Sequence, residues 1–220
     1  MAGTLSIVST PIGNLEDITL RAIRTLKEVD IIAAEDTRRA KILLNTYGID
    51  TALTSFHAHN NRHKARIIIK MLKDGKNVAL VSDSGTPGIS DPGHVLIRGC
   101  IEEGLTITAM PGATALVTAL VLSGKPTNKF VFEGFLSNKG SRRKKQLKEL
   151  LSEDRTVVVY ESPHRIEKLL KDVCDLDAER EVVLARELTK KFEEIRRATA
   201  GEHLEHFAEN KPRGEFIVLF

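Results

Sequence analysis

A run of small and polar residues at positions 82–93 carries the clearest chemical signal in the sequence. It reads Ser-Asp-Ser-Gly-Thr-Pro-Gly-Ile-Ser-Asp-Pro-Gly and directly follows the apolar run 77–81. Glycine lets a ligand approach the backbone closely, and open parallel sheets bind ligands at the carboxyl ends of their strands. An ordinary tight connection accounts for one or two such residues but not for twelve in succession. The run therefore predicts a ligand-binding loop.

Two further loops have a similar composition. Residues 9–14, Ser-Thr-Pro-Ile-Gly-Asn, follow the first apolar run, and residues 110–115, Met-Pro-Gly-Ala-Thr-Ala, follow the fifth. None of the three loops is a Walker A loop or a G-x-G-x-x-G dinucleotide fingerprint, so phosphate-driven nucleotide hydrolysis loses its main support. Each loop taken alone could equally be an ordinary turn. Together they predict a site where the three loops converge.

Charged side chains follow other apolar runs. Segment 33–39 places Glu35 and Asp36 beside two arginines, where carboxylates could act as general bases and arginines could hold a substrate. The alternative is the start of a helix, with Asp36 or Thr37 as its cap and Arg38 solvated. Segments 161–165 and 186–194 also allow two interpretations: each could form the wall of a cleft or have only a structural role.

A basic cluster stands out in the second half of the chain. Such a run could follow a phosphate backbone, whereas a run of charges is more often a solvated helix face. Acidic residues, Glu149 and Glu153, appear only after the cluster, so the run itself is unbalanced. We therefore predict RNA phosphates as its partners. Its six members are Lys139, Arg142, Arg143, Lys144, Lys145 and Lys148.

Three histidines, His57, His59 and His63, raise the alternative of a zinc site. On a strand the first two would share a face, and the third could return from the following turn. No cysteine or carboxylate nearby completes a familiar ligand spacing. A polar loop beside a cleft is the prediction, with no metal.

Composition limits the class of protein. The 220 residues are 41% hydrophobic and 29% charged, enough to bury a core, and 33 basic against 30 acidic residues are near balance. No apolar run approaches the roughly 20 residues of a membrane-spanning helix, and no secretory signal is visible. Two separated cysteines, Cys100 and Cys174, do not make a disulfide framework. We expect a cytoplasmic protein without a membrane partner.

The elements that must position these residues alternate along the chain. Apolar runs at 5–8, 31–34, 52–56, 78–81 and 105–108 predict strands, and helical spacing between them predicts helices, the first capped by Asp17. The first part, 1–122, is therefore predicted as an α/β domain with a mainly parallel sheet. Further strands at 130–135, 156–160, 182–185, 195–199 and 216–220 predict a second α/β domain, 123–220, with a mixed sheet.

Six motifs follow one another along the chain: 9–15 (STPIGNL), 34–38 (AEDTR), 82–87 (SDSGTP), 133–136 (EGFL), 161–165 (ESPHR) and 187–190 (ELTK). In this order they resemble the motifs of the tetrapyrrole methylase superfamily, in its branch of ribosomal RNA 2'-O-ribose methyltransferases. The resemblance runs from Leu5 to Phe220. Porphyrin-type members carry Gly-Asp-Pro where this chain has Ser82-Asp83-Ser84, which favours the RNA branch.

The resemblance implies a specific reaction. It implies S-adenosylmethionine as methyl donor, held in a cleft between two α/β domains of a homodimer, and a cytidine of 16S rRNA in the small ribosomal subunit as acceptor. Candidates for assisting the ribose 2'-hydroxyl are Glu35, Asp36, Glu161 and Lys190. The donor-binding residues implied by the resemblance are Pro11, Asp83, Ser84, Gly85, Thr86, Ala113, Thr114 and Ala115, with Tyr160 and Leu188 from the second domain.

Three alternatives remain open at this stage. A related methyltransferase could use the same donor on a small molecule or a protein side chain. A non-catalytic RNA-binding module could use the basic cluster alone, although the three glycine-bearing loops would then have no role. A zinc-dependent hydrolase could use the three histidines.

Overall fold

Strands and helices alternate through the first unit, 1–114, of the computed structural model, which describes all 220 residues. Three strands depart from the predicted ranges by one or two residues at their ends, because register and pairing set strand ends. The elements are β1 (Thr4–Val8), a 3₁₀ turn (Leu15–Asp17), α1 (Leu20–Glu28), β2 (Ile31–Ala34), α2 (Thr37–Thr46), β3 (Leu53–Ser55), α3 (Asn61–Lys73), β4 (Val78–Val81), α4 (His94–Glu102) and β5 (Thr106–Met110).

The sheet of the first unit is entirely parallel, in the order β3-β2-β4-β1-β5. One face packs under α1 and α2 through residues such as Leu26 and Leu43. The other face packs under α3 and α4 through Ile68 and Leu96. Burial on both faces explains why β4 is apolar throughout, and the predicted doubly covered parallel sheet is confirmed. All five strands therefore end at one edge, which we call the first carboxyl edge.

The second unit, 115–220, contains a mixed five-stranded sheet in the order β6-β7-β10-β8-β9. β6 and β7 are parallel, whereas β10 is antiparallel to both β7 and β8, and β9 is antiparallel to β8. The predicted mixed sheet is therefore confirmed. The elements are α5 (Ala115–Ser123), β6 (Phe130–Phe135), α6 (Gly140–Leu151), β7 (Thr156–Glu161), α7 (Ile166–Leu176), β8 (Glu181–Arg186), β9 (Glu194–Thr199), α8 (Ala200–Glu209) and β10 (Phe216–Leu219).

This topology brings several segments to one edge of the second sheet. Because β6, β7 and β8 run in the same direction, the loops that follow them share this edge with the start of β10. We call it the second carboxyl edge. The core behind it includes Leu147, Val157, Leu169 and Phe216, supplied by helices and strands together.

Two sequence-based details differ from the structure. Asp17 does not cap α1: it ends the 3₁₀ turn, and the cap is Thr19, whose hydroxyl accepts a hydrogen bond from Ala22 N at 3.1 Å. The 3₁₀ turn takes up residues 15–17, so the helix begins later and a threonine, another favourable N-cap residue, takes the capping position. The division between the units falls before α5, whereas the predicted domain boundary, 122/123, falls at the last residues of that helix. No helix in the chain has the length and apolar content that crossing a bilayer requires.

Candidate functional site

The loops after β1 and β4 are joined into one structure at the first carboxyl edge. Thr10 and Gly85 exchange two backbone hydrogen bonds, at 2.8 and 3.1 Å. The hydroxyls of Ser9 and Thr86 lie 2.8 Å apart, and Ser82 Oγ donates to the carbonyl of Gly85 at 3.2 Å. Backbone and hydroxyl contacts of this kind fix both loops without any charge. The predicted convergence of these two loops is therefore seen directly.

Two glycines permit this close approach. Gly85 has a φ of 79°, a left-handed conformation that residues with a Cβ rarely adopt, and a Cβ there would lie 3.4 Å from Ile12 Cγ2. A Cβ on Gly112, in the loop after β5, would lie 2.9 Å from Ser9 Cβ, closer than real Cβ contacts. Gly112 therefore lets the third loop pack against the first, so all three glycine-bearing loops meet.

Asp83 connects this assembly to the loop after β2. Its Oδ1 accepts a hydrogen bond from Asp36 N at 2.9 Å, and its Oδ2 lies 3.2 Å from Arg39 Nη1. Asp36 is the N-cap of α2: its carboxylate accepts from Arg38 N and pairs with the Arg38 guanidinium at 2.7 Å. Those contacts hold the pKa of Asp36 well below its usual range. Asp36 thus adopts the capping role, one of the two roles that its sequence context left open.

Two carboxyls at the first carboxyl edge have the opposite electrostatic character. Burial, and then the neighbouring charge of Asp83, raise the pKa of Glu35. Burial and the charge of Glu35 raise the pKa of Asp91 to about 6, although a hydrogen bond from Ser82 opposes the shift. Raised carboxyl pKa values are typical of acid–base sites. Sequence analysis missed Asp91, which lies within the 82–93 run and could be identified only from its neighbours in space.

The first carboxyl edge therefore offers a defined set of groups. Pro11 and Gly85 are buried, whereas Ser84, Thr86, Ala113 and Thr114 are half-buried. Backbone groups, hydroxyls and carboxylates suit the hydroxyls, ring nitrogens and ammonium group of a nucleoside joined to an amino acid. No lysine or glycine-rich phosphate loop accompanies them. The donor set fits an S-adenosyl compound better than a nucleotide.

Tyr160 organises the second unit near the start of α5. Its hydroxyl accepts a hydrogen bond from Leu116 N at 3.1 Å, and its ring makes edge contacts with Phe132 and Phe135 at centroid distances of 4.9 and 5.8 Å. Leu116 adjoins the predicted donor residue Ala115. The predicted pair Ala115 and Tyr160 is therefore brought close together, within the second unit, by one main-chain contact.

Glu161 follows Tyr160 and is 2% exposed. Its Oε1 accepts from Ser162 N at 2.8 Å and lies 3.3 Å from Arg165 Nε, while its Oε2 is buried without a hydrogen-bond partner. Burial raises the pKa of Glu161, although the hydrogen bond from Ser162 and the charge of Arg165 oppose it. Arg165 also donates to the carbonyl of Leu136 at 2.7 Å. The pair therefore holds the loop after β6 against the end of β7.

Lys190 is held between two carboxylates. Its Nζ donates to Glu187 Oε1 and to Glu215 Oε2, both at 2.9 Å. Leu188, between Glu187 and Lys190, is 5% exposed. A lysine shared by two carboxylates is poorly placed to steer a reacting hydroxyl, so its position favours a bracing role. The structure nevertheless places Lys190, Leu188 and Glu161 at the same sheet edge.

The basic cluster is less uniform than its sequence suggests. Arg143 is buried, and its Nε and Nη2 lie 2.7 and 2.6 Å from Asp172 Oδ2. Lys144 pairs with Asp175 at 2.8 Å. The expectation of six cations without acidic neighbours was wrong, because α7 carries both acids and packs against α6. The four members without an ion pair are exposed: Lys139, Arg142, Lys145 and Lys148.

The three histidines do not assemble a metal site. The chain contains no group of three or more His, Cys, Asp or Glu residues arranged to hold a metal ion. The ring of His57 contacts Asn60 Nδ2 at 3.1 Å, and His59 and His63 are exposed. Asn60 also accepts from His57 N, so this loop is fixed by local polar contacts. The zinc alternative therefore has no ligand set.

Comparison with known proteins agrees with this architecture. The family model Tetrapyrrole (Corrin/Porphyrin) Methylases matches residues 4–203. A ribosomal RNA small subunit methyltransferase I from Thermotoga maritima is 48% identical over 217 residues, covering 99% of this chain and 97% of the relative. One from Synechocystis sp. is 48% identical over 218 residues, covering 99% and 78%.

Solved structures share the fold at low sequence identity. The methyltransferase CobJ superposes with a TM-score of 0.73 at 20% identity, covering 99% of this chain and 93% of that one. A uroporphyrin-III C-methyl transferase from Thermus thermophilus, complexed with S-adenyl homocysteine, superposes with a TM-score of 0.66 at 18% identity, covering 99% and 96%.

Proposed function

Because the chain belongs to the tetrapyrrole methylase family, and is nearly half identical to ribosomal RNA small subunit methyltransferases I, we propose that it methylates the 2'-hydroxyl of a cytidine in 16S rRNA. The chain is an S-adenosylmethionine-dependent ribosomal RNA methyltransferase. The proposal adds the acceptor atom and nucleotide. The observation that carries it is the loop assembly at the first carboxyl edge, interlocked by backbone and hydroxyl hydrogen bonds, which fits an S-adenosyl donor.

The proposed donor contacts follow from this assembly. In the first unit they are Pro11, Asp83, Ser84, Gly85, Thr86, Ala113 and Thr114, and in the second Ala115, Tyr160 and Leu188. Asp83 already holds the turn at Asp36, so its contribution is to fix the shape of the edge as well as to present a carboxylate. S-adenosylmethionine supplies a methyl group bound to a positively charged sulfur. The protein then has to orient the acceptor and manage its proton.

Proton management is assigned to the carboxyls with raised pKa values. A ribose 2'-hydroxyl is a weak nucleophile at neutral pH, and an acceptor whose pKa lies near the working pH assists it best. Asp91, with a pKa of about 6, meets that requirement, and the pKa of Glu35 is shifted in the same direction, chiefly by burial. Among the other candidates, Asp36 caps α2, while Glu161 and Lys190 hold loops through ion pairs. We assign these three to positioning.

Partners of the enzyme follow from its exposed surfaces. We assign the RNA phosphates to the four exposed cations of the basic cluster, and a homodimer to the apolar side of α5, where Val117 and Val121 are 48% and 68% exposed. A helix that is apolar on all sides normally packs on all sides. The proposed location is the cytoplasm, where small ribosomal subunits assemble.

Donor binding is tested by calorimetric titration with S-adenosylhomocysteine. Asp83→Ala is expected to weaken binding, whereas Asp50→Ala, which removes an exposed carboxylate of the same unit, leaves it unchanged. Full affinity in folded Asp83→Ala protein would refute the role of Asp83. A parent protein that binds no S-adenosylhomocysteine would refute the proposed donor site.

The reaction itself is tested by mapping. Ribosomal RNA from cells with and without the protein is compared nucleotide by nucleotide, and purified small subunits are incubated with labelled donor. The expected result is one 2'-O-methylcytidine in 16S rRNA that depends on the protein. Label on a base, on a ribosomal protein or on no ribosomal component would overturn the assignment and favour a small-molecule acceptor.

A further inference from the structure

The loop between β8 and β9, residues 187–193, exposes an aromatic side chain that the proposed reaction does not use. Phe192 is 66% exposed, and the ammonium group of Lys191 lies 5.6 Å from the centre of its ring. Single exposed apolar side chains are common on protein surfaces and need no explanation by themselves. Phe192 differs from such residues because hydrogen bonds and ion pairs hold its loop in place.

The loop consists of two consecutive turns, 187–190 and 190–193. Hydrogen bonds from Lys190 N to the Glu187 carbonyl at 3.0 Å, and from Glu193 N to the Lys190 carbonyl at 3.1 Å, close the turns. The first turn places Leu188 inside, at 5% exposure. The second turn places Lys191 and Phe192 outside. Burial of the first turn thus anchors the second in a fixed, outward position.

Ion pairs and hydrogen bonds hold this arrangement against backbone strain. Glu187 N donates to the Glu215 carbonyl, and Glu215 N donates to Glu187 Oε1 at 3.0 Å, beneath the two-carboxylate contact of Lys190. Glu187 and Thr189 have φ values of 50° and 64°, a conformation rare for residues with a Cβ. Strain of this kind persists only where surrounding contacts impose it, and it is concentrated at functional sites. A rigid loop carries Phe192.

One exposed lysine without an ion pair stands beside the aromatic ring. Each acidic side chain has an internal partner: Glu187 and Glu215 hold Lys190, Glu193 accepts from Thr189 N at 2.6 Å, and Glu194 pairs with Arg186 at 3.1 Å. Lys191 has no ion pair and is exposed beside the ring. An exposed aromatic ring with a free cation is the combination with which proteins bind single-stranded nucleic acid.

From these observations, and resting on the proposed function, we infer that Phe192 stacks on an unpaired base of the RNA substrate while Lys191 contacts the adjacent phosphate. The loop lies at the second carboxyl edge, with the other loops that follow parallel strands. Because the loop already holds the ring in place, stacking a base on it costs the protein little conformational entropy. The base bound there is a base of the substrate RNA other than the acceptor nucleotide.

Substitution provides the first test. Phe192→Ala is expected to weaken binding of a short oligocytidylate by about 5- to 150-fold, the effect of losing one base–aromatic stack, without changing the salt dependence. Phe192→Tyr should restore binding. Phe130→Ala is the matched control, because Phe130 is also exposed, at 40%, but begins β6 and so lies at the opposite edge of the same sheet. Lys191→Ala should lower the salt slope by about 0.7.

Fluorescence provides a second, direct test. The sequence has no tryptophan, so Phe192→Trp gives a single-tryptophan protein. Oligocytidylate should quench its emission, whereas Phe130→Trp emission should not change. If the parent binds and methylates RNA but both Phe192 variants behave like their Phe130 controls, stacking is refuted and the proposed function stands. If the parent neither binds nor methylates RNA, the proposed function fails, and stacking fails with it.

Discussion

The two carboxyl edges are built from different interactions. The first is joined by backbone and hydroxyl hydrogen bonds around Gly85 and Gly112, and its carboxyls Glu35 and Asp91 have raised pKa values. The second is joined by ion pairs, with Glu161 and Lys190 both engaged. At the first edge Asp36 and Asp83 also pair with arginines, whereas Glu35 and Asp91 form no ion pair and stay available for chemistry. Charge in the second edge is used to hold loops in place.

This difference assigns separate tasks to the two units. A site that must stabilise a positively charged donor and accept a proton benefits from carboxyls without an ion pair, such as Glu35 and Asp91. A surface that must hold a long, flexible nucleic acid benefits from rigid loops that present cations and aromatic rings. The following predictions test whether the two edges can be disturbed independently.

The largest effect is expected at the buried ion pair of the second unit. Arg143→Met leaves Asp172 buried with only Lys144, at 3.5 Å, to compensate it. The expected loss is roughly 3 kcal/mol of unfolding free energy, measured by urea titration. The double variant Arg143→Met, Asp172→Leu should recover most of that loss, because no uncompensated charge remains. Equal stability of Arg143→Met and the parent would show that the pair is not structural.

A smaller loss of unfolding free energy is expected where Gly112 packs against Ser9 at the first edge. Gly112→Ala places a methyl group 2.9 Å from Ser9 Cβ, and the resulting overpacking should cost about 1–3 kcal/mol of unfolding free energy. Donor affinity should fall as the loops separate. Gly140→Ala is the control, because a Cβ there meets nothing within 4 Å at the start of α6. Comparable losses in the two variants would contradict the close-approach argument.

The raised pKa of Asp91 predicts a change of stability with pH. The folded protein holds the Asp91 proton up to a pH of about 6, whereas the unfolded chain releases it near 4. Stability contributed by the protonated form is therefore lost as the pH rises from about 4 to 6. Asp91→Asn should match the parent below pH 4 and unfold at a higher temperature above pH 6, in thermal denaturation scans. A constant difference at every pH would refute the shift.

The smallest effect on stability, and a specific effect on RNA binding, is expected at the exposed cations. Replacing Arg142 and Lys145 by Ala should lower the slope of log affinity against log salt by about 1.4, through the loss of two single-strand phosphate contacts. S-adenosylhomocysteine affinity and unfolding free energy should not change. The variant leaves out Arg143, because its loss would disturb the core. An unchanged salt slope would show that these cations form only a solvated helix face.

Much of the fold can be predicted from local patterns in the sequence. All ten strands were predicted, with ends displaced by one or two residues, because near-continuous apolar runs identify buried strands. The convergence of the 9–14 and 82–93 loops also follows, since parallel strands end at one edge. Asp91 and Phe192 could not be singled out, because the properties that distinguish them are a raised pKa and an exposed position on a braced turn, both set by neighbours distant in sequence.

The sequence by itself determined the order of elements, the parallel first sheet and the glycine-bearing loops, because each depends on residues adjacent in the chain. Only the tertiary structure decided which charges are available. Arg143 and Arg142 are neighbours in an unbalanced basic run, yet one is buried against Asp172 and the other is exposed. Asp172 lies 29 residues further along the chain. Packing of α6 on α7 brings the two together, and a charge pattern along one helix contains no information about the helix that packs against it.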